Sequence, residues 1–519
     1  MGILSIINEF RRSYATISLL KIYDASITRK NNCVFFLIRE GLKKKLVIIY
    51  PPEKQEFLSG FSFEKHGLLS FNNKRFKYIV CPCNGRNASM LRRIFSFTRP
   101  QPMGLAPAIG LGDRLGLATP GHIRAIRGSN VFPVLAQQSF REMERTMRTP
   151  KEVLDDVSWA VFQEGYRGGF ASDADHIKRE EDVDVAFQAG FTMYTVDPSD
   201  YVDFRADKYI RRTLEEKFNN LPWDELRIRK ERFTKIYLSK RLILRMPNGE
   251  VREIKFSEES LMRTAVKFSA AILFTAKIYR RLKKLFGDKK FDFEVSIDEA
   301  EKPTSALEHF FMASELKRLG VRFHSLAPKF VGKFEKAIDY VGDLEKFKES
   351  FIEHVLISKS CGPYKISIHS GSDKFSIYPI IREIAPEMIH LKTSGTSYLE
   401  SLRVIARRNP NLFREIVKYS LKRFEIDRKS YHVSADLKLI PKPENVSDEN
   451  LEKTFLDNDV GRQILHVTFG SILSAKDDSG KWIFREEIKR VLLENEEEFY
   501  DAIAAHIKKH IEKCFSSTK

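Results

Sequence analysis

Residues 170–200 read FASDADHIKREEDVDVAFQAGFTMYTVDPSD, and this stretch shows the pattern that decides the fold. Two short, mainly apolar runs, Phe170–Ala174 and Phe191–Val196, each end in polar residues, and a segment of helical character lies between them. Short continuous runs of this kind are typical of parallel strands that are buried on both faces. The stretch therefore predicts a strand–helix–strand unit with polar side chains at the ends of its strands.

The same pattern recurs along the central part of the chain. Alternating strands and helices predict an α/β fold, and about eight such units predict a (β/α)8 barrel of the TIM type. The predicted strands are Pro107–Leu111, Phe132–Ala136, Phe170–Ala174, Phe191–Val196, Phe291–Ile297, Val321–Ala327, Tyr364–Ile368 and Met388–Leu391.

The predicted catalytic barrel occupies residues 105–400, and an insertion of about residues 201–288 follows its fourth strand. In this insertion Phe233–Leu244 and Val251–Phe256 flank a Pro-Asn-Gly turn, which predicts a β-hairpin because Asn-Gly favours tight hairpin turns. A long helix is predicted to follow, from about Glu258 to Phe286.

Two segments flank the predicted barrel. Residues 1–104 predict an N-terminal α+β cap without catalytic chemistry of its own. The strand candidates of the cap are Val34–Ile38, Leu46–Tyr50 and Tyr78–Cys81. Residues 401–519 predict a mainly helical C-terminal extension, interrupted by Tyr431–Leu437 and ending in an amphipathic helix over Arg485–Ile511.

Composition limits the classes of protein to which the chain can belong. The 519 residues are 42% hydrophobic, which is enough for a large core, and no apolar run approaches the ~18 residues of a membrane span. The net charge is +18, but Lys and Arg are interleaved with Asp and Glu, which favours a solvated surface or an anionic substrate over nucleic acid. Five cysteines and no convincing signal peptide indicate reduced thiols in a cytoplasmic protein. We expect neither a nucleic-acid nor a membrane partner, and the sequence leaves homo-oligomerisation open.

Polar side chains follow nearly every predicted strand. In barrels of this type the active site lies at the carboxyl ends of the strands. Polar groups at these positions cost stability unless they are satisfied, so their concentration at one end predicts a catalytic mouth. The candidate substrate-binding residues after the first two strands are Asp113, Arg114, Gln137 and Gln138.

Two segments after the seventh and eighth strands, His369–Lys374 and Lys392–Thr396, combine small, hydroxyl and lysine residues. Loops at these positions often bind phosphate through backbone N–H groups, and a carboxylate needs the same donors. We therefore place the acidic group of a substrate here, with ordinary turn chemistry as the alternative. The candidates are Ser372, Lys374, Lys392 and Thr396. The glycine spacing of residues 110–116 does not fit a dinucleotide loop, so no organic cofactor is predicted.

Three histidines belong to the same set of strand-end residues. Histidine is the commonest metal ligand, although any one of the three alone would equally suit a satisfied core position. Together with Asp175 and Glu294 they predict one divalent ion, and such a mixed shell suits Zn, Mn, Ni, Co or Fe. The predicted ligands are His176, His369 and His390. His122, expected to open a helix, and His324, expected in the middle of a strand, are weaker candidates.

Asp175 and Glu294 are the candidate acid/base residues. They follow the third and fifth predicted strands, so they would approach a substrate from different sides of the mouth. Paired carboxylates in different environments commonly divide the acid and base roles. The alternative is that one of the two is a metal ligand or the partner of an arginine.

Several longer strings carry a resemblance to a known family. They are Gly112-Asp113-Arg114-Leu115-Gly116, Phe132-Pro133-Val134-Leu135-Ala136-Gln137-Gln138-Ser139, Asp173-Ala174-Asp175-His176, Asp197-Pro198-Ser199-Asp200, His369-Ser370-Gly371-Ser372-Asp373-Lys374 and Lys392-Thr393-Ser394-Gly395-Thr396-Ser397-Tyr398-Leu399-Glu400. From about Gly104 to the C-terminus the chain resembles the tagaturonate epimerase family.

The resemblance implies a metal-dependent epimerase that interconverts D-tagaturonate and D-fructuronate in bacterial hexuronate catabolism. It implies Asp175 as proton acceptor and Glu294 as proton donor. The ligand set that it implies is His176, His369 and His390. His324 departs from the family's pattern, which leaves a local substitution or a fourth ligand open.

The chemistry of this conversion favours a retro-aldol/aldol route. The inverted carbon, C3 counted from the carboxylate, is not adjacent to the ketone, but its hydroxyl is β to it. Loss of the hydroxyl proton therefore permits cleavage of the C3–C4 bond, rotation of the aldehyde and bond formation on its other face, with a Lewis acid for the enediolate. The rival route, transient oxidation at C3, would need a nicotinamide. Alternative functions are a metal-dependent isomerase, epimerase or aldolase for another keto-sugar acid or a free ketohexose, and a basic nucleic-acid-binding protein built on a barrel.

Overall fold

The structure is a computed structural model that describes residues 3–14, 20–71 and 74–515 of the chain. Its first part is an antiparallel sheet with strand order β1-β2-β3-β5-β4. The elements are α1 (Ile3–Tyr14), β1 (Leu20–Lys30), β2 (Cys33–Glu40), β3 (Lys43–Tyr50), β4 (Lys65–Phe71), β5 (Lys74–Pro82) and α2 (Gly85–Ile94). The predicted pairing of Val34–Ile38 with Leu46–Tyr50 is confirmed by the register Val34↔Ile49, and the predicted strand Tyr78–Cys81 lies within β5.

Both faces of this sheet are covered. On one face Phe36 and Val47 pack against Ile6 and Phe10 of α1. On the other, Phe35 packs in a cluster that includes α2 and two aromatic residues of a later helix, Trp159 and Phe162. The sheet thus shares a core with the part of the chain that follows it. The proposed boundary at residue 104 stays a prediction.

A closed barrel of eight parallel strands follows, as predicted. Its elements are β6 (Ala108–Leu111), α3 (Thr119–Ile126), β7 (Phe132–Ser139), α4 (Phe140–Arg145), α5 (Pro150–Gln163), β8 (Ala171–Ile177), α6 (Glu180–Ala189), β9 (Met193–Val196), α7 (Arg211–Asn219), α8 (Lys230–Ser239), β10 (Arg241–Arg245), β11 (Val251–Lys255), α9 (Glu258–Phe286), β12 (Asp292–Ser296), α10 (Ala306–Arg318), β13 (Ser325–Ala327), α11 (Leu344–Cys361), β14 (Lys365–Ile368), α12 (Tyr378–Ile384) and β15 (Ile389–Thr393). The barrel order is β12-β13-β14-β15-β6-β7-β8-β9, which leaves β10 and β11 as a separate hairpin. Each of the eight predicted strands overlaps one barrel strand, although the sixth, β13, is shorter than the predicted Val321–Ala327.

The insertion after β9 contains the predicted hairpin and the predicted long helix α9. The first strand predicted for the hairpin, Phe233–Leu244, is wrong over most of its length, because Lys230–Ser239 forms α8. Phe233 and Tyr237 are four residues apart, a helical spacing that buries both rings on one face at 4.8 Å between their centroids. Helical periodicity therefore prevails there over the strand-forming character of single residues.

The C-terminal extension is helical and packs around the barrel. Its helices are α13 (Thr396–Arg408), α14 (Pro410–Asp427), α15 (Leu451–Phe455), α16 (Asp459–Val467), α17 (Phe469–Ser474), α18 (Arg485–Glu494) and α19 (Glu496–Cys514). The single helix predicted over Arg485–Ile511 is wrong, since Asn495 separates α18 from α19. Short 3-10 helices complete the chain at Pro52–Lys54, Glu56–Leu58, Ser96–Thr98, Ser199–Tyr201, Phe204–Lys208, Pro386–Met388, Arg428–Ser430, Leu437–Leu439, Pro443–Asn445 and Asp448–Asn450.

Two observations bear on the environment of the chain. All five cysteines are free thiols, as predicted. Within the described ranges, none of the helices combines the length and the apolar character that crossing a membrane requires.

Candidate active site

A buried lysine lies among three carboxylates inside the barrel. The Nζ atom of Lys392 on β15 is 2.8 Å from Asp173 Oδ2, 2.7 Å from Asp175 Oδ1 and 2.7 Å from Glu294 Oε1. It also donates to the hydroxyl of Thr195 at 2.7 Å. Burial opposes the charge of Lys392, but the three carboxylates raise its pKa well above the usual range, so it stays an ammonium ion. One positive charge thus serves three acidic groups, and the group retains an excess of negative charge.

Strand register explains why these side chains meet. Glu294 on β12 pairs with Thr195 on β9 and with Ser325 on β13, so the three lie at one level of the barrel. Ser325 Oγ donates to Glu294 Oε2 at 2.5 Å, and the two oxygens of Glu294 also meet Nε2 of His369 (2.8 Å) and Nδ1 of His390 (2.9 Å). Burial would raise the pKa of Glu294, but Lys392 and the two histidines lower it well below its usual range. Glu294 is therefore ionised.

Asp175 is held at the end of β8 in the same way. The amide of Gln137 donates to Asp175 Oδ2 at 2.8 Å, and Nδ1 of His176 is 3.0 Å from Oδ1. Burial opposes ionisation, but His176 and Lys392 hold the pKa of Asp175 well below its usual range. Gly110 makes this arrangement possible, since a Cβ atom there would lie 2.6 Å from Oε1 of Gln137. Asp173 lies two residues before Asp175 on the same strand, and burial is the main cause that raises its pKa to about 6.

His176, Asp298 and His369 form a group with the character of a metal site, because one ligand atom from each lies within 4.8 Å of the others. Asp298 Oδ1 is 3.1 Å from Nδ1 of His369 and 3.9 Å from Nε2 of His176. The other nitrogen of each histidine is held by a carboxylate, Asp175 or Glu294. Metal-binding histidines are commonly oriented by carboxylates in this way.

The donor set also fits a divalent ion by charge. Two imidazoles and one carboxylate suit several first-row transition metals, including the predicted ones. A cation would neutralise the excess of negative charge that Lys392 leaves on Asp173, Asp175 and Glu294. A second group, His176, Asp197 and Glu299, lies at the rim and shares His176.

The other histidines differ in position. Nε2 of His390 is buried with no hydrogen-bond partner among the described residues, and burial lowers the pKa of this histidine to about 4, so the ring is neutral. His390 lies outside the group of His176, Asp298 and His369, and its role as a ligand stays a prediction. His324 precedes β13 rather than lying within it, and its Nδ1 accepts a hydrogen bond from the backbone N–H of Phe293 at 3.2 Å. It therefore lies at the amino end of the barrel, away from the mouth.

His122 lies in the first turn of α3, as expected, and its Nε2 is 2.7 Å from Ser397 Oγ. This contact ties α3 to the first turn of α13. Both partners are buried, so His122 is satisfied in the core rather than directed at the barrel interior.

The predicted substrate residues of the first two strands fall into two kinds. The carboxylate of Asp113 accepts hydrogen bonds from the backbone N–H groups of residues 116–119 and shapes the loop after β6. Arg114 donates to Glu142 at 2.7 and 3.1 Å and stacks on Phe469. Both polar side-chain atoms of Gln138, like Nη1 of Arg114, are buried without a protein partner in the described part of the chain, and the predicted substrate contacts of these residues stay predictions.

The predicted residues after β14 and β15 are mostly engaged by protein. Nζ of Lys374 donates to the carbonyl oxygens of Glu335 (2.9 Å), Ser372 (3.1 Å) and Ile338. Thr396 Oγ1 is 2.6 Å from Nε2 of His506. Their predicted substrate contacts, and that of Lys392, stay predictions.

The structure brings to the site three residues to which the sequence alone assigned no role. Asp298 lies four residues after Glu294 at the same strand end, and this spacing could have signalled it. Asp173 lies two residues before Asp175, so alternation along β8 places both on the inner face. Lys336, whose Nζ donates to Ser370 Oγ at 2.7 Å, could not be predicted from the sequence, because it lies in an irregular loop after the very short β13.

A closed (β/α)8 barrel with two ionised carboxylates and a candidate metal group at the carboxyl end of its strands is the architecture of a barrel enzyme that acts on a small polar substrate. A sequence model of the UxaE family, tagaturonate epimerase, matches residues 23–514. The chain therefore belongs to the tagaturonate epimerase family, and it is an epimerase.

Individual relatives agree with this assignment. The chain is 44% identical over 505 residues to the tagaturonate/fructuronate epimerase of Thermotoga maritima, covering 97% of this chain and 98% of the relative. The native crystal structure of the fructuronate-tagaturonate epimerase UxaE from Cohnella laeviribosi is 36% identical with a TM-score of 0.88, over 98% of this chain and 99% of that one. A structure of the same enzyme with one glycerol gives a TM-score of 0.87 at 36% identity, over 98% and 99% of the two chains.

Proposed function

We propose that this chain interconverts D-tagaturonate and D-fructuronate in the hexuronate catabolism of the cytoplasm, with one divalent metal ion and no organic cofactor. Family membership supports the reaction. The observation that carries it is the position of Lys392, which is 2.7 Å from both Asp175 and Glu294. Lys392 holds two ionised carboxylates beside the His176–Asp298–His369 group, and the proposed reaction needs proton transfer and a Lewis acid at the same place.

The proposed reaction is a retro-aldol cleavage followed by an aldol addition. Removal of the C3 hydroxyl proton breaks the C3–C4 bond and leaves an aldehyde at C3 and an enediolate over C4 and C5. The aldehyde rotates, and the enediolate attacks its other face, so that the alkoxide at C3 returns with inverted configuration. A divalent ion, when bound, supplies the Lewis acid that stabilises the negative charge of the enediolate.

Asp175 and Glu294 act on the hydroxyl of the two epimers. In one epimer Asp175, held ionised by His176 and Lys392, accepts the hydroxyl proton at Oδ1 or Oδ2. In the other epimer the hydroxyl points to the opposite face, where Glu294 supplies the proton. Lys392 donates to both carboxylates, so it can pass one proton to Glu294 and take one from Asp175 without a change in its own charge.

The test uses purified protein that is stripped with chelator and incubated with D-fructuronate, with and without added Mn²⁺, Ni²⁺ or Zn²⁺. We expect D-tagaturonate to form only when metal is restored. Asp175→Asn and Glu294→Gln should each lower kcat by about 10²–10⁴-fold, the usual contribution of a positioned acid or base. Asp184→Asn, whose carboxylate pairs with Arg281 on the outside of the barrel, is the matched control and should keep full activity.

Isotope incorporation tests the route. In D2O the retro-aldol path leaves the C3 hydrogen in place, so D-tagaturonate should carry no deuterium at C3. Deuterium at C3, or tightly bound nicotinamide in the purified protein, would contradict the proposed route. No conversion with any metal would remove this substrate pair and move the search to other keto-sugar acids and free ketohexoses.

A further inference from the structure

The loop between β13 and α11 is fixed at the mouth of the barrel and carries Lys336. Lys374 donates from Nζ to the carbonyl oxygens of Glu335 and Ile338, one residue before and two residues after Lys336. The Glu335 carboxylate is held in addition by Ser434 Oγ at 2.6 Å. Two further residues are tied to neighbouring segments, Ala337 to Arg462 and Asp339 to Ser376. Lys336 therefore projects from a preorganised backbone.

Among the residues that the structure describes, the ammonium group of Lys336 has a single hydrogen-bond partner. Its Nζ lies 2.7 Å from Ser370 Oγ, and no carboxylate oxygen of the described residues lies within 4.0 Å of it. The side chain is partly buried, and burial, followed by the nearby Arg141, lowers the pKa of Lys336. A poorly hydrated cation without a counter-ion costs free energy. An anion brought by a ligand would remove that cost.

The charges around Lys336 favour binding of a ligand's anionic group on the side of the mouth where this lysine lies. The floor of the barrel is acidic, with Asp173, Asp175 and Glu294 around one lysine. The acidic groups that face Lys336 are Asp298 and Glu142, and both are engaged elsewhere. Asp298 contacts His369 at 3.1 Å, and Glu142 accepts from Arg114 at 2.7 Å. Arg141 lies beside Lys336; its guanidinium group is 3.9 Å from Glu299 and 5.8 Å from the centroid of the Tyr431 ring.

We infer that Lys336 binds the carboxylate of the substrate, assisted by Arg141 at the rim, and that this contact selects sugar acids over neutral sugars. The inference rests on the proposed function, since it assigns the orientation of the same substrate in the same site. The carboxylate at Lys336 keeps negative charge away from the acidic floor and directs C3 towards Asp175 and Glu294. Ser370 orients the ammonium group for this contact.

The experiment compares Lys336→Met and Lys336→Arg with Lys333→Met, an exposed lysine of the same loop, as matched control. D-fructuronate is the substrate, and D-gluconate and sorbitol, which differ only in a terminal carboxylate, are tested as competitive inhibitors. Lys336→Met should lower kcat/KM for D-fructuronate by about 10–100-fold and raise the Ki of gluconate by a similar factor, the range expected for one charged hydrogen bond. The Ki of sorbitol should stay within about twofold, because the variant leaves the hydroxyl contacts intact. Lys336→Arg should recover part of the loss, and Lys333→Met should match the wild type.

The outcomes separate this inference from the proposed function. If the wild type does not convert D-fructuronate, the proposed function fails, and calorimetric titration of gluconate into wild type and Lys336→Met still decides whether Lys336 binds a carboxylate. Equal losses for gluconate and sorbitol would show a merely structural role and overturn the inference. Unchanged constants for gluconate and D-fructuronate in a folded Lys336→Met protein would overturn it as well.

Discussion

Replacement of Lys392 by methionine tests how the barrel interior is held together. Methionine has a similar length and would fill the space of the lysine stem. The substitution leaves Asp173, Asp175 and Glu294 close together without the ammonium group that lies 2.7–2.8 Å from each of them. All three carboxylates are buried, so water cannot take over the role of the lysine.

The structure sets the size of the effect. Removing one partner of a buried ion pair costs about 3–5 kcal/mol, because the remaining charge is left uncompensated. Lys392 serves three carboxylates and the Thr195 hydroxyl, so we expect Lys392→Met to lower the free energy of unfolding by the upper end of this range at pH 7–8.

The pH dependence of this loss has a definite sign. In the wild type the folded pKa values of Asp175 and Glu294 are lowered, so their contribution is present above the unfolded pKa of about 4 and is lost only below it. In the variant the lowering by Lys392 is lost, so burial moves the folded pKa values of the same carboxylates upward, and the variant loses stability relative to the wild type as the pH rises. The difference between wild type and variant should therefore be full at pH 7–8 and shrink as the pH falls towards 5.

The assay is equilibrium denaturation in urea, followed by far-ultraviolet circular dichroism in chelator so that metal binding does not contribute. Lys365→Met is the matched control, since Lys365 is also buried in the barrel, but within the described ranges its Nζ donates only to the carbonyl oxygen of Ala106, at 2.9 Å. The control should keep or raise the stability. A loss for Lys392→Met no larger than that of the control, or a loss that grows as the pH falls, would refute this account of the barrel interior.

Two further predictions follow from the same side chains. Asp298→Asn should release the divalent ion, so its metal content, measured by inductively coupled plasma mass spectrometry, should fall more than about tenfold. Glu299→Gln should retain the ion. The opposite pattern would place the ion in the group of His176, Asp197 and Glu299. Burial lowers the pKa of Lys365 from 10.5 to about 8, so between these two pH values only the unfolded chain still binds the proton. The free energy of unfolding of the wild type should therefore rise by up to about 3 kcal/mol relative to Lys365→Met as the pH goes from 8 to 10.5. A difference in urea denaturation that does not change with pH would contradict this prediction.

Sequence reasoning succeeded where local pattern determines structure. The barrel strands could be predicted because each run is buried on both faces and therefore apolar, as in Phe291–Ile297. The rule that strand ends form the active site brought Asp175, His176, Glu294 and His369 together before any distance was known. The helix over Lys230–Ser239 was missed, because its aromatic residues favour strands individually and only their spacing on a packed face decides for a helix.

The roles of the lysines could not be predicted, because they depend on partners that are distant in sequence. Lys374 meets the carbonyl of Glu335, 39 residues away, and Lys392 meets Asp173, 219 residues away. Lys374 and Lys392 lie in the two segments at which we predicted binding of the acidic group of a substrate. Lys336, which lies in no recognisable motif, has the free hydrogen-bonding capacity that such a group needs.

Three of the lysines at this end of the barrel, Lys336, Lys374 and Lys392, differ in the number of their protein partners, and this number decides which ammonium group remains available to the substrate. Lys392 is occupied by the carboxylates of the floor, and Lys374 by carbonyl oxygens that hold a loop. An additional carboxylate placed against the floor would raise the pKa of Asp175 and reduce the population of its ionised, proton-accepting form, since like charges disfavour ionisation. A carboxylate at Lys336 avoids this effect. The separation of an acidic floor from a cationic rim thus allows an enzyme with several buried carboxylates to bind an anionic substrate and still keep its base ionised.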